Sequence, residues 1–114
     1  MAIMIDDQAK DAVARRRARG KDAALILSIA PLSPKTGIPS AASVSWVSRH
    51  RPAGEFVRCQ VGEIDVLVAP RLARYADACD VIISSWRLGP FDRLSVADPF
   101  LMLRVLEWEY AHQP

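Results

Sequence analysis

Ile64-Asp65-Val66-Leu67-Val68-Ala69-Pro70-Arg71-Leu72-Ala73-Arg74-Tyr75, followed by Asp80-Val81-Ile82-Ile83 and by Leu94-Ser95-Val96-Ala97-Asp98-Pro99, decides how the chain folds. Ile64, Val66 and Val68 alternate with Asp65 and Leu67, as in a strand with one face buried. Phe56, Val57, Cys59 and Val61 repeat that pattern upstream of Gly62-Glu63, so the spacing predicts a hairpin. Pro70 opens a helix, because the amide hydrogen it lacks has no intrahelical acceptor in the first turn. Leu72, Ala73 and Ala76 form its inner stripe, up to about Ala78. Val81 to Ser84 then reads as a strand, Gly89-Pro90 as a turn, and Leu94 and Val96 as the inward positions of a last strand. Asp98 as cap and Pro99 at the first helical position predict a terminal helix over 98–111.

Moving upstream, Asp6 or Asp7 can accept the unpaired amides of a helix whose inner positions are Ala9, Ala12, Val13 and the stem of Arg16. Gly20 ends it. The run from Ala23 to Ala30, with Leu25, Ile26, Leu27 and Ile29 between Gly20 and Pro31, is short and apolar enough for a buried strand. Pro31 to Ser40 has the composition of a loop. Val44, Trp46 and Val47 mark another strand, with a bulge expected where the alternation slips, and Arg49 to Gly54 reads as a turn.

The 114 residues, 51% hydrophobic and 25% charged, form a single domain over 1–114 with no repeat or linker. No apolar run approaches the ~18 residues of a membrane span. The apolar start Met1-Ala2-Ile3-Met4-Ile5 is cut off by Asp6-Asp7, short of the ~7 residues a signal-peptide core needs, and the expectation is a cytoplasmic protein. Two cysteines exclude a disulfide scaffold or a complete four-thiolate site in one chain. In a reducing compartment Cys59 and Cys79 are expected as independent thiols.

Parts for catalysis are missing. His50 lies between Arg49 and Arg51, whose charge disfavours an imidazolium, and His112 is expected to fray near the end. There is no G-x-S-x-G elbow, and Lys35-Thr36 lacks the glycines of a phosphate loop. Asp77 and Asp80 read as solvent-facing residues. The chain is expected not to be an enzyme, and no catalytic residue is assigned. Arg15-Arg16-Arg17 with Arg19 and Lys21 is the densest charge cluster, but consecutive residues of a helix point ~100° apart. Without aromatic residues interleaved, a solvated helix end is favoured over a nucleic-acid contact.

The order of strand, Pro-x-Leu-Ala helix, strand, glycine turn, strand and Asp-Pro from Val61 to Pro99 resembles the HesB family of iron–sulfur cluster assembly proteins, also called A-type carriers. Ile64 to Tyr75, Asp80 to Ile83 and Leu94 to Pro99 stand where that family has an x-V-x-V-(D/S)-P-x-L-x-x-Y segment, a short strand and a hydrophobic-x-hydrophobic-x-N-P ending. The early helix, glycine break and Leu-Ile-Leu strand are similar too. The resemblance implies an α+β fold: a mixed or antiparallel β-sandwich or pseudobarrel with an N-terminal helix, a short internal helix and, added here, a C-terminal helix.

The departures bear on chemistry. Cluster-carrying members use a cysteine in an early loop and a Cys-Gly-Cys near the C-terminus, because thiolates are the ligands such clusters need. Pro31 to Ser40 contains no cysteine, and Phe100-Leu101-Met102-Leu103 follows Asp98-Pro99. Neither Cys59 nor Cys79 matches a family ligand position. Ala69 replaces the capping Asp or Ser before the proline, a loss of ~1 kcal/mol. The expectation is therefore a family scaffold that holds no cofactor through the family's cysteines and serves as an accessory or protein-interaction module. Leu101, Met102, Leu103, Val105, Leu106, Trp108 and Tyr110 cover more than the stripe one core contact requires, so the terminal helix is either deeply packed or covered by a second chain. Leu101, Leu103, Val105, Leu106, Trp108 and Tyr110 are accordingly the expected contact residues of a homodimer or a protein partner. Two alternatives stand beside this reading. Cys59 and Cys79 from two subunits would supply four thiolates for a metal or iron–sulfur cluster across a dimer axis. A small basic nucleic-acid-binding domain led by Arg15 to Lys21 is the other.

Overall fold

The computed structural model describes residues 1–31, 40–47 and 54–112. Its elements run β1 (Ile3–Ile5), α1 (Asp7–Ala18), β2 (Leu25–Pro31), β3 (Ser40–Trp46), β4 (Val57–Val61), β5 (Ile64–Val68), α2 (Pro70–Ala76), β6 (Val81–Leu88), β7 (Phe91–Val96) and α3 (Leu101–Ala111). The strands form two sheets, ordered β1-β6-β7 and β3-β2-β5-β4. Both are mixed: β1 with β6 and β2 with β5 are parallel, and the other neighbours are antiparallel. β7 lies beside β3 and β1 beside β4, so the sheet edges approach on both sides and close a flattened barrel around one core.

That core follows from alternation. On β5 Ile64, Val66 and Val68 are buried while Asp65 is exposed; on β6 Val81 and Ile83 are buried while Ile82 is exposed. Leu25 and Leu27 of β2, Ile3 and Ile5 of β1 and Val44 of β3 join the same cluster. The Gly62-Glu63 hairpin is formed as expected, with Gly62 at φ +61°, a conformation that costs a residue with a Cβ but not glycine.

α1 is capped as its sequence requires: the Asp6 carboxylate accepts from Ala9 N at 2.9 Å, and Ala9, Ala12 and Val13 are buried. α2 begins at Pro70 and buries Leu72, Ala73, Tyr75 and Ala76. Where expectation and structure differ, the cause is local. The β2–β3 pairing runs unbroken from Leu25–Trp46 to Pro31–Ser40, so the expected bulge is not there and the ladder includes both ends of the expected loop. The rest of that loop, and the Arg49 to Gly54 turn up to residue 53 with His50, lie outside the described residues.

β6 extends four residues beyond Ser84, because pairing with β7 continues to Leu88–Phe91 across the Gly89-Pro90 turn. The terminal helix starts at Leu101, not at Pro99. Asp98 does not cap it from the expected position; its carboxylate accepts from Phe100 N at 2.9 Å and its carbonyl from Leu101 N at 3.2 Å, a tight turn that spends three residues before the helix.

Candidate functional site

Three groups of residues merit a functional reading, and the first is the thiol pair. Cys59 sits midway along β4, opposite Val66 of β5, and packs half-buried against the core. Cys79 follows α2, its amide donating to Tyr75 O at 2.9 Å, and is also half-buried. Burial pushes the Tyr75 hydroxyl above its ordinary value, and the neighbouring Cys79 adds to that. Both thiols are free, and no cluster of three or more His, Cys, Asp or Glu side chains able to hold a metal occurs among the described residues.

The second group is α3. Leu101 and Val105 are buried in the protomer's own core along with Met102, so they are not available to a partner. Leu106 and Trp108 are half-buried, the Trp108 ring standing edge-on to Tyr75 at 6.1 Å and stacked with His112 at 4.7 Å. Leu103 and Tyr110 are exposed, as is Phe100 just before the helix. His112 stands at the C-cap of α3, with Nδ1 2.8 Å from Trp108 O. The Arg71 guanidinium grips Glu109 through two bonds, of 3.0 and 2.6 Å, and ties α3 to α2.

The third group lies at the basic end of α1. Its arginines diverge, as helix geometry demands, but each meets a different part of the fold. Arg15 makes a bidentate pair with Asp92 of β7, at 3.1 and 2.6 Å, and Arg87 of β6 approaches the same carboxylate at 3.7 Å. Arg16 lies over the Trp46 ring, 4.7 Å from its centroid, and donates to Asp22 O at 2.6 Å. Arg17 donates to Glu63 O at 2.7 Å. Between α1, β3 and β7 is a crevice of about 300 Å³ lined by Arg16, Arg19, Lys21, Trp46, Phe91, Asp92 and Arg93. A second, of about 350 Å³ between α1 and β6, is lined by Gln8, Asp11, Arg15, Ser85, Trp86 and Arg87. The aromatic rings missing from the basic segment in sequence are therefore present beside it in space.

Pairing sets the ionisation of three carboxylates. The Arg15 hydrogen bonds hold Asp92 below its ordinary value, with Arg87 and Arg19 adding to the effect, and Arg71 does the same to Glu109. The Phe100 amide and then Arg104 lower Asp98. A carboxylate with a depressed folded pKa contributes stability that is present above its unfolded value, near 4, and lost as pH falls through the folded value. Denaturant melts at decreasing pH should thus show stability falling below about pH 4, and the fall should be shallower in an Asp92→Asn/Glu109→Gln variant. The Arg71–Glu109 pair is partly exposed, so its share is below ~1 kcal/mol. Equal slopes in both proteins would show that these pairs do not govern the acid limb.

Two mixed sheets closed into a flattened barrel, with helices before β2, between β5 and β6 and after β7, make this the HesB-like α+β scaffold. Among solved structures, that of IscA with the [2Fe-2S] cluster is similar: the TM-score is 0.54 and the sequences are 13% identical, with 85% of this chain and 85% of that one covered. At that identity the likeness is one of fold. No protein-family model and no curated protein matches the sequence. No described helix is long and apolar enough to cross a membrane.

Proposed function

We propose that this chain employs an IscA-like scaffold as a cytoplasmic accessory or protein-interaction module, without enzymatic activity, and does not carry an iron–sulfur cluster on its own thiols. The observation that supports this most directly is the donor chemistry. The chain has two cysteines, one half-buried within a sheet and the other after α2, where the HesB family uses three. A segment that in the family bears ligands is here α3, whose inner face fills the core and whose Leu103 and Tyr110 remain outside for a second copy or another protein.

Anaerobic incubation with ferrous iron and sulfide, then desalting, tests the proposal. The expected product is colourless, with iron content unchanged when Cys59 and Cys79 are both replaced by serine. A visible absorption band at stoichiometric iron that disappears in the double variant would overturn it and favour four thiolates shared across a dimer.

A further inference from the structure

The outer face of the β1-β6-β7 sheet carries a row of apolar side chains that the barrel does not use. Met4 of β1 pairs with Ile82 of β6, and Ile82, Trp86 and Leu88 share a face by alternation. Across the β6–β7 ladder Leu88 faces Phe91 and Trp86 faces Arg93, which puts Phe91 and Arg93 on the same side. Trp86 is 51% exposed, Leu88 56% and Phe91 65%. Ser84 and Ser95 separate Met4 and Ile82 from the group of Trp86, Leu88 and Phe91, and exposed apolar residues grouped as these three are mark a contact surface.

Its surroundings say which kind. Arg16, Arg19, Lys21 and Arg93 line the crevice that includes Phe91, while Arg15 and Arg87 are taken up by Asp92 on the other side of the sheet, in a chain whose net charge is only +2. Arg19, Lys21 and Arg93 make no ion pair with another described residue. Flat aromatic rings on an open sheet face, edged by cations that attract a phosphate backbone, are the two elements that single-stranded nucleic acid binding requires. An acidic peptide would satisfy the cations but, unlike a nucleic acid strand, does not carry a flat ring on every unit to place on Trp86 and Phe91. A membrane surface calls for a continuous apolar edge, and Arg93 interrupts this one between Trp86 and Phe91.

We propose that this face binds a single-stranded RNA or DNA segment, with Phe91 and Trp86 stacking on bases and Arg19, Lys21 and Arg93 contacting phosphates. The proposal does not depend on whether the thiols hold a cluster, since none of these residues touches Cys59 or Cys79 in any hydrogen bond or ion pair of the described residues.

Fluorescence anisotropy with a labelled 12-nucleotide RNA and a DNA of the same mixed sequence, on the intact chain, tests it. Saturable binding to either is expected at ~0.15 M salt. Phe91→Ala and Trp86→Ala should each weaken it roughly 5- to 150-fold, the range for loss of one stacked base. Neutralising Arg19, Lys21 or Arg93 should flatten the dependence of log affinity on log salt by ~0.7 each, while Arg74→Gln, on α2 and outside the cluster, leaves it unchanged. Circular dichroism melts confirm that the variants are folded. The proposal fails if neither oligonucleotide binds, or if folded Phe91→Ala and Trp86→Ala variants bind like the parent. It also fails if phosphatidylserine vesicles or polyglutamate bind where the oligonucleotides do not.

Discussion

A chain ending at Pro99 will not fold cooperatively, and in thermal circular dichroism it will show no melting transition where the full chain shows one. α3 contributes Leu101, Met102 and Val105 to the central cluster, all buried, Val105 without any exposed surface. Returning a side chain of that size to water is worth ~1.5–3 kcal/mol, before counting the cavity left against β3 and α2. Three of them rival the ~5–15 kcal/mol that holds a domain folded, and the Arg71–Glu109 pair and the Tyr75–Trp108 contact go with them. A single substitution makes the same point. Val105→Asp places an unpartnered carboxylate in the core and should abolish the transition, whereas Leu103→Asp, two residues away but exposed, should leave it within ~1 kcal/mol. A truncated chain that melts near the parent would show that α3 is an appendage. If Leu103→Asp keeps the fold but halves the sedimenting mass, the outer side of α3 is a dimer contact. The breadth of the helix's apolar surface then has two causes: one side is demanded by folding, the other by association.

Elements whose periodicity is complete within themselves were legible in the sequence. The β4–β5 hairpin needs only alternation and Gly62, α2 needs only Pro70 and its stripe, and α1 needs only Asp6 and Gly20. β1 was not legible, because Ile3–Ile5 is too short to show a period and its partner β6 lies more than seventy residues away in parallel pairing. The end of β6 was hidden for a similar reason: Trp86-Arg87-Leu88 breaks the pattern of a half-buried strand, since its outer face stays apolar while Arg87 turns toward Asp92. Pro99 pointed to a helix start, but Asp98 serves its own turn and Arg104 first, and the helix waits for Leu101.

The candidate surface shows the same division. Arg15 to Lys21 stood out as a cluster, yet its aromatic neighbours Trp46, Trp86 and Phe91 come from three different strands. No spacing rule joins them; only the closing of β7 beside β3 and the packing of α1 on β6 does.

Two neighbouring isoleucines on β6 separate what the fold needs from what it does not. Ile83 is fully buried, paired with Ile5 of β1 and Val96 of β7, so Ile83→Ala should destabilise by ~2–5 kcal/mol and lower the melting midpoint by on the order of 10 °C. Ile82 is 39% exposed on the opposite face, and Ile82→Ala should stay within ~1 kcal/mol of the parent. A sheet with one face in water ordinarily carries polar residues there. If Ile82→Ala is indeed mild, folding gains little from the apolar side chain at that position, and the exposure of Met4, Trp86, Leu88 and Phe91 on the same sheet serves binding rather than stability. If instead Ile82→Ala is as damaging as Ile83→Ala, the face is already covered in solution by a second copy of the chain. It would then be closed to nucleic acid, and sedimentation of the parent would show the dimer directly.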